Sequence, residues 1–377
     1  MSEIASKMAK LGFGFMRLPQ KDGVIDLPRL CNMVDDYMSA GFNYFDTAYV
    51  YHGGKSEVAI AEAVVARYPR EDFMVADKLP AWELKKPEDN DRIFEEQLRR
   101  TNLEYFDFYL LHSVEDGSNY AIYEKYGSFE WAMKKKEEGK IKHFGFSFHG
   151  SPELLEKVLD KHPEVEFVQI QLNYLDWNNQ VVQSGKLYEI LKRKNVPMIV
   201  MEPVKGGMLA NLEPELEAAM KAVRPDASVA SWAVRFVGSL EGVMTVLSGM
   251  SDEEQVSDNV RTFTNFEPLT EDEYQVLNTV VSKMLNMPLV ACTACRYCID
   301  GDDSCPKKIK IPDVFRALNT VRMYPGDFRS RMFYNSMVST SGRAKECISC
   351  RRCERVCPQH LEIVELLKEA AGHLDKE

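Results

Sequence analysis

Long apolar runs, a leader-like N-terminus and an excess of positive charge are all missing from this chain of 377 residues. No uninterrupted apolar stretch approaches the roughly 20 residues that a membrane-spanning helix needs. Residues 1–4 lack a basic segment followed by an apolar core, so we expect no export signal and a cytoplasmic location. The 47 Lys and Arg residues against 58 Asp and Glu residues leave a formal charge of −11, which disfavours nucleic acids and anionic membrane surfaces as partners.

Cysteine is scarce in the first three quarters of the chain, where only Cys31 occurs. The other eight form two runs, C-x2-C-x2-C-x6-C-P and C-x2-C-x2-C-x3-C-P, made by Cys292, Cys295, Cys298, Cys305, Cys347, Cys350, Cys353 and Cys357. Three thiolates at three-residue steps and a fourth before proline are typical of [4Fe-4S] ligation. Two such runs predict two clusters. Disulfides or zinc are weaker interpretations, because nothing indicates secretion and zinc sites rarely repeat the C-x2-C step in this way.

In two-cluster ferredoxins the fourth cysteine of each run serves the other cluster. By that pattern one cluster is held by Cys292, Cys295, Cys298 and Cys357, and the second by Cys347, Cys350, Cys353 and Cys305. The 41 residues between Cys305 and Cys347 exceed what a compact ferredoxin needs. Helical patterns at Ile311–Met323 and Gly326–Met337 therefore predict a mostly helical, ferredoxin-like dicluster domain over residues 291–377.

The first 265 residues alternate short apolar runs with helical patterns, which predicts a parallel α/β fold. About 250 residues is the usual size of a (β/α)8 TIM barrel, and no Gly-x-Gly-x-x-Gly follows the first strand, as a doubly wound nucleotide-binding fold would require. We expect Leu11–Pro19, with its glycines, to form a small hairpin at the bottom of the barrel. A connecting helix is predicted within residues 266–290. The predicted strands are Gly41–Asp46, Phe73–Lys78, Phe106–His112, Lys142–Ser147, Phe167–Gln171, Val196–Met201 and Gly242–Ser248.

Four polar side chains follow the first three predicted strands: Asp46, Tyr51, Lys78 and His112. In a barrel of this kind, the carboxyl ends of the strands carry the catalytic groups. A tyrosine can donate a proton near neutral pH if a cation lies beside it. Lys78 supplies that charge in this interpretation, Asp46 keeps the lysine ionised, and His112 orients a carbonyl group.

These residues and their flanks resemble the aldo-keto reductase family. The matching segments are residues 43–48 (Asn-Tyr-Phe-Asp-Thr-Ala) with Tyr51, Ser56-Glu57, Asp77-Lys78, residues 106–112 (Phe-Asp-Phe-Tyr-Leu-Leu-His), and residues 139–147. The resemblance covers Leu11 to Asn259. It implies a TIM barrel, a nicotinamide cofactor across its mouth, and reduction of a carbonyl or oxidation of an alcohol at the four residues.

The resemblance also implies which positions hold the nucleotide. Ser147 and Gln169 stand where the family contacts the nicotinamide amide, and Met201 replaces a stacking aromatic residue. Gly249, Ser251 and Asn259 belong to the phosphate loop, where we expect Ser251 and Glu254 to form a capping box at a helix that suits pyrophosphate. The acidic residues 252–254 favour NADH over NADPH.

The two halves of the chain handle electrons differently. A nicotinamide transfers a hydride, whereas each cluster transfers one electron, and no flavin signature that would couple them is visible. The clusters can be structural, they can reduce the substrate by single electrons, or a flavin can act in the mouth or in a partner. The mismatch between hydride and single-electron transfer predicts a ferredoxin or a flavoprotein as redox partner. The predicted substrate is a small carbonyl compound or alcohol. The alternative is an electron-transfer protein whose barrel docks such a partner.

Overall fold

The computed structural model describes residues 8–115, 118–179, 182–300, 304–323, 331, 334–335, 337–338 and 341–375. These residues form two compact units. One contains the described residues up to Pro203 together with Ser231–Leu269, and the other contains Val204–Ala230 together with the described residues from Thr270 on. The domain boundaries at residues 265 and 290 stay a prediction.

Eight parallel strands of the first unit close into a barrel, as predicted. They are β1 (Leu11–Gly14), β4 (Tyr44–Asp46), β5 (Met74–Pro80), β6 (Phe106–Val114), β7 (Ile141–Phe148), β8 (Phe167–Gln171), β9 (Met198–Met201) and β10 (Val243–Ser248). Each strand pairs with its neighbour in this series, and β1 closes the barrel between β10 and β4. All eight carboxyl ends therefore point to the same rim.

The hairpin predicted at Leu11–Pro19 is wrong. Leu11–Gly14 is the first barrel strand, and a hairpin follows it at β2 (Gln20–Lys21) and β3 (Val24–Ile25). A Cβ atom on Gly12 would lie 2.7 Å from the Leu247 side chain and 2.8 Å from the Thr245 side chain. Gly12 thus lets neighbouring strands pack closely, so this glycine, taken as a turn signal, in fact marks a crowded strand.

Helices alternate with the strands and bury one face each. Asp26 and Ser151 cap two of them by accepting hydrogen bonds from the backbone N–H groups of Arg29 and Leu154, and a proline follows each cap in the first turn. The helices of this part of the chain are Leu27–Ser39, Lys55–Ile60, Asp89–Thr101, Ser118–Lys125, Ser128–Glu137, Pro152–Lys161, Ser184–Arg193, Val229–Gly238 and Glu253–Thr264.

The barrel interior is a packed apolar core. Along each of two strands, the inward-facing side chains change from apolar to polar at the rim. The interior cluster includes Tyr44 on β4 and Phe108 and Leu110 on β6, and each of these side chains is at most 1% exposed. Because side chains two residues apart share a face of a strand, Asp46 follows Tyr44 and His112 follows Leu110 on the inner face. The first residues beyond the apolar layers are therefore the polar ones.

The second unit is mainly helical. Its described helices of eight or more residues are Pro214–Val223, Glu271–Leu285, Ile311–Met323 and Ile363–Leu374. The last two pack together through buried residues that include Val314, Leu318 and Leu367. Most of the helix predicted at Gly326–Met337 lies outside the described residues. No helix in the described part of the chain is long and apolar enough to cross a membrane.

Candidate functional site

A buried ion pair occupies the carboxyl ends of β4 and β5. The Lys78 Nζ atom lies 2.6 Å from Asp46 Oδ1 and donates a second hydrogen bond of 2.6 Å to the Thr47 carbonyl oxygen. Lys78 is 1% exposed and Asp46 is 4% exposed. Burial raises the pKa of the Asp46 carboxyl, and the Lys78 ammonium group opposes that rise. The ion pair fixes the position of the ammonium group. Loss of either partner would leave an isolated buried charge, which is strongly destabilising.

Tyr51 begins a tight turn, Tyr51–Gly54, after β4. Its backbone N–H donates to the Ala48 carbonyl oxygen at 3.0 Å, and the Lys78 Nζ atom lies 5.1 Å from the centre of its ring. The centre of the His112 ring lies 5.9 Å away, with the two ring planes 82° apart. The structure thus brings the four predicted residues together at one rim.

His112 projects from an irregular part of β6. The pairing register with β7 shifts between Leu111 and Val114, and Ser113 has a positive φ of 58°. Such a bulge redirects a side chain at a strand end. Burial lowers the pKa of His112 well below its ordinary value of 6.5, and the charges of Lys78 and His149 lower it further. The imidazole is therefore neutral near pH 7, and it can donate one hydrogen bond.

Trp82 also lies beside His112. The centres of the two rings are 5.2 Å apart, and 40% of the tryptophan is exposed. An indole with an exposed face beside the imidazole gives the rim an apolar wall. Apolar walls with a few polar groups are the usual lining of a small-molecule site.

A second, unpredicted pair of acidic side chains lies beside Lys78. Glu57 and Asp77 are 0% exposed, and burial raises the pKa of both carboxyl groups. One oxygen of Glu57 accepts from Arg100 at 2.8 Å, and one oxygen of Asp77 accepts from the Lys78 backbone N–H at 2.8 Å. For the other two oxygens the described residues supply no donor. Burial and the charge of Glu57 raise the pKa of Asp77 well above its ordinary value of 3.8, which favours retention of a proton by the pair.

The two residues predicted to bind the nicotinamide amide lie opposite each other on β7 and β8. Ser147 and Gln169 are register partners, and each is 2% exposed. Gln169 Nε2 donates to Asp46 Oδ2 at 3.4 Å, while Gln169 Oε1 is buried and no described residue donates to it. A buried oxygen that lacks a donor fits the N–H₂ group of a carboxamide.

The predicted phosphate loop follows β10, and its helix begins one residue later than expected. The Asp252 side chain caps Glu253–Thr264 by accepting from the Gln255 N–H at 2.8 Å. The capping box predicted for Ser251 and Glu254 is therefore wrong. The Ser251 hydroxyl instead donates to the Arg17 carbonyl oxygen at 2.8 Å, because aspartate at the next position is an equally good cap.

Arg17 is a cation at this loop that the sequence analysis missed. A Cβ atom on Gly249 would lie 3.3 Å from an Arg17 guanidinium nitrogen. The same guanidinium pairs with Glu202, just after β9, at 2.7 Å. A small residue at position 249 thus leaves room for the arginine beside the loop.

Asn259 and Met201 are the remaining two residues predicted to bind the nucleotide. Asn259 is buried and donates from Nδ2 to the Ser248 hydroxyl at 2.9 Å, which ties the helix to the end of β10. Met201 is the last residue of β9 and is partly exposed. Asn259 thus contacts the end of β10, and Met201 ends β9. Their roles in nucleotide binding stay a prediction.

The eight cysteines of the second unit line two separate cavities. The first cavity is lined by Cys292, Cys295, Cys298 and Cys357. The second is lined by Cys305, Cys347, Cys350 and Cys353. Among the described residues no three His, Cys, Asp or Glu side chains converge as they would on a single metal ion. Four cysteines around an iron–sulfur cube each bind a different iron atom, so wider spacing suits that group.

A closed parallel barrel with an acid, a lysine, a tyrosine and a histidine at one rim defines a (β/α)8-barrel enzyme. Residues 10–282 match the model of the aldo/keto reductase family, and residues 291–362 match that of a 4Fe-4S dicluster domain. The chain therefore belongs to the aldo/keto reductase family, whose members are oxidoreductases, and it carries a 4Fe-4S dicluster domain after the barrel.

Two curated proteins illustrate the relationship. An L-galactose dehydrogenase of Arabidopsis thaliana is 28% identical over 285 residues, which are 71% of this chain and 88% of that protein. An uncharacterized oxidoreductase of Bacillus subtilis, YqkF, is 25% identical over 300 residues, with coverage of 72% and 92%.

Solved structures agree on the fold. An aldo-keto reductase of Bacillus halodurans, AKR11C1 in its holo form, superposes with a TM-score of 0.58 at 24% identity over 72% of this chain and 92% of that one. An aldo/keto reductase of Klebsiella pneumoniae in complex with NADP and acetate gives a TM-score of 0.59 at 19% identity, with coverage of 73% and 92%.

Proposed function

We propose that the barrel reduces a small carbonyl compound to an alcohol, or catalyses the reverse reaction, with Tyr51 as the proton donor. The observation that carries the proposal is the convergence of Tyr51, Lys78 and His112 at one rim, with the lysine held by Asp46. Taken singly, each of these residues has an ordinary structural explanation. A scaffold that only binds a partner has no need to place an ammonium group 5.1 Å from a tyrosine ring.

The lysine and the aspartate prepare the tyrosine for proton transfer. As the phenol proton moves to the carbonyl oxygen, negative charge develops on the Tyr51 oxygen, and the nearby ammonium group of Lys78 stabilises it. Asp46 fixes the position of the Lys78 ammonium group through the ion pair of 2.6 Å. General acid catalysis of this kind typically contributes a factor of about 10² to 10⁴ in rate.

The neutral imidazole of His112 has a different role in this proposal. Its pKa lies well below 6.5, so it holds a donor without carrying a charge that would compete with Lys78. A fixed N–H donor orients the carbonyl oxygen toward the Tyr51 hydroxyl group. Trp82 excludes water from one side of the site.

A nicotinamide cofactor, when bound, supplies the hydride for the carbonyl carbon. Its carboxamide would bind Ser147 and Gln169, where the orphaned Gln169 Oε1 supports the fit, and Met201 would pack against the ring. Gly249, Ser251 and Asn259 would hold the phosphate groups, with Arg17 as an added cation. The negative charge of residues 252–254 favours NADH over NADPH, since a further phosphate on the ribose would be repelled.

Two [4Fe-4S] clusters, when bound, supply one-electron transfer in the second unit. The ligands of the first would be Cys292, Cys295, Cys298 and Cys357, and those of the second Cys305, Cys347, Cys350 and Cys353. The two cavities support this crossed assignment, since each contains three cysteines of one run and the fourth of the other. Burial raises the pKa of the Cys298 and Cys353 thiols, so both would need iron to become thiolates.

The test is anaerobic turnover of a carbonyl panel by cluster-replete Tyr51→Phe protein. Removal of the hydroxyl group should lower kcat by about 10² or more while iron content and visible absorbance stay unchanged. Tyr49→Phe is the matched control, because Tyr49 lies in the same loop and donates to Glu96. Undiminished reduction by Tyr51→Phe would refute the proposal. An absence of turnover in the wild type with every carbonyl would favour the electron-transfer alternative.

A further inference from the structure

The charge of the chain is unevenly distributed. Residues 291–377 contain 15 basic and 12 acidic residues, whereas residues 1–290 contain 32 basic and 46 acidic residues. The cysteine-containing segment is thus net positive in a protein of charge −11. Unequal charge of this kind selects partners and steers their approach.

The positive charge is concentrated around the second cysteine cavity. Residues 304–310 carry three lysines and no acidic residue, and residues 343–355 carry five basic and two acidic residues. Lys307, Arg351 and Arg352 line the cavity together with its cysteines. We name the exposed set Lys307, Lys308, Lys345, Arg351 and Arg352 the basic rim.

Most of the basic rim forms no ion pair with any other residue that the structure describes. Arg351 lies 3.5 Å from Glu354, while among the described residues Lys307, Lys308, Lys345 and Arg352 have no carboxylate within ion-pairing distance. Like charges gathered on one surface repel one another. An acidic surface of a partner protein is therefore attracted to this rim.

An apolar side chain and a cysteine are exposed within the same surface. Ile348 is 56% exposed, and Cys350 is the exposed member of the eight cysteines. An apolar contact surrounded by charge is the usual anatomy of a transient protein interface. An exposed ligand position also brings the second cavity close to the surface.

Among the described residues, the lining of the first cavity carries less positive charge than that of the second. Its cysteines are buried or partly buried, and its one lining cation, Arg296, pairs with Asp300 at 2.9 Å. The other polar residues that line it are Thr293 and Gln359. The two cavities therefore differ in the charge of their lining and in the exposure of their cysteines, and both differences favour the second as the site of a partner.

We propose that the basic rim with Ile348 is the docking surface for an acidic one-electron carrier protein of the ferredoxin class, which exchanges electrons through the second cysteine set. In the exchange the reduced carrier loses one electron and the second cluster gains that electron, without a bond change. This inference rests on the proposed cluster ligation. It is independent of the chemistry at Tyr51.

The experiment measures binding of an acidic [2Fe-2S] ferredoxin to the full-length, cluster-replete protein by anaerobic calorimetry, at low and at high salt. The test variant is Lys345→Glu combined with Arg352→Glu. The control is Lys192→Glu combined with Lys221→Glu, which changes the charge equally at exposed helix positions. Stopped-flow absorbance then follows reduction of the clusters by stoichiometric reduced ferredoxin.

We expect binding to the wild type to weaken with salt, and the test variant to lose about 10-fold or more in affinity and reduction rate. The control variant should lose less than about 2-fold in affinity and in reduction rate. Equal losses in both variants, or unchanged affinity in the test variant, would overturn the proposal. So would equally tight binding of a basic c-type cytochrome or of a double-stranded oligonucleotide.

Iron content and visible absorbance of each variant are measured first, so that a lost cluster is distinguished from lost docking. If Lys345→Glu with Arg352→Glu does not retain its iron, Lys345→Gln with Arg352→Gln serves in its place. This glutamine variant should also bind the ferredoxin more weakly than the wild type, by about 3-fold or more. Failure of carbonyl turnover would show in the Tyr51→Phe experiment and leave this result unaffected.

Discussion

At the scale of single residues, His112 shows how burial decides which chemistry a side chain offers. Its position two residues beyond a core leucine removes it from water, and Lys78 adds a nearby positive charge. Both effects disfavour the imidazolium form. The same histidine on the surface would titrate near pH 6.5 and would be a poor fixed donor.

The pH dependence of turnover should reflect this shift. Because the folded-state pKa of His112 lies well below 6.5, the imidazole stays neutral from about pH 6 to 8, and protonation reduces kcat/KM only in more acidic solution. A pH–rate profile of the wild type and of His112→Gln tests this. The glutamine variant retains an N–H donor and should lack the acidic limb. A limb near pH 6.5 that disappears in the variant would contradict the assignment.

The Glu57–Asp77 pair makes a prediction for stability. Burial and the charge of Glu57 raise the pKa of Asp77 well above 3.8, so above about pH 4 the folded state retains a proton that the unfolded chain has lost. The free energy of unfolding must then fall as pH rises through this range, by up to about 1.4 kcal/mol per pH unit. In the Asp77→Asn variant the side chain still accepts from the Lys78 N–H, and its amide group can donate to Glu57. The dependence of the free energy of unfolding on pH should therefore become flatter.

Urea denaturation of both proteins at several values between about pH 5 and 8 measures this difference. Asp160→Asn is the control, because Asp160 is 69% exposed. This variant should show the same pH slope as the wild type. An Asp77→Asn protein with the full wild-type slope would show that the pair holds no proton.

At the scale of elements, the turn that carries Tyr51 depends on two glycines for different reasons. Gly53 and Gly54 have φ angles of 63° and 83°, in the left-handed region that glycine tolerates best. A Cβ atom on Gly53 would meet nothing within 4 Å, whereas one on Gly54 would lie 2.7 Å from an Arg100 guanidinium nitrogen. Arg100 in turn holds Glu57.

Replacing each glycine by alanine separates these effects. Gly53→Ala should lower the free energy of unfolding by about 1 kcal/mol through backbone strain alone. Gly54→Ala should lower it by about 2 kcal/mol or more, because it also displaces Arg100 from Glu57. Thermal or urea unfolding measures both. Equal destabilisation by the two substitutions would show that the contact with Arg100 does not matter.

Local sequence pattern was sufficient for most elements and for the four rim residues. The predicted helix Ile311–Met323 coincides with the observed one, and the observed helix Glu271–Leu285 lies within the residues predicted for the connecting helix, because their periodicity and end signals are strong. Glycines misled the prediction at β1, since crowding between strands is a tertiary effect. Competition between Ser251 and Asp252 as caps moved one helix start by a residue.

The contacts that the sequence did not reveal join residues far apart in the chain. Arg17 approaches Gly249 because β1 pairs with β10 when the barrel closes. Glu57 approaches Asp77 because β4, which precedes the helix of Glu57, pairs with β5. A signal existed in both cases: Arg17 follows the first strand, and Asp77 adjoins Lys78. Neither signal identifies its partner without the pairing of the strands.

At the scale of the whole molecule, the two cysteine runs are combined into two cavities by the helical unit. The crossed arrangement predicts which double substitutions act on one cluster. Cys305→Ser with Cys347→Ser should remove the second cluster alone and leave about four iron atoms per chain. Cys305→Ser with Cys292→Ser should affect both clusters. Iron analysis with EPR spectroscopy of anaerobically purified protein measures the difference. Loss of both clusters in the first double variant and of one in the second would establish uncrossed ligation.

The central claim, carbonyl reduction at Tyr51 with a hydride from nicotinamide, is tested most directly by isotope transfer. Cluster-replete wild-type and Tyr51→Phe proteins are mixed anaerobically with NADH or NADPH deuterated at both C4 positions, together with the best carbonyl of the panel. Mass spectrometry then locates deuterium in the alcohol. We predict one deuterium at the former carbonyl carbon with the wild type, and none above background with Tyr51→Phe. Alcohol that forms without deuterium, or equal transfer by the two proteins, would contradict the account.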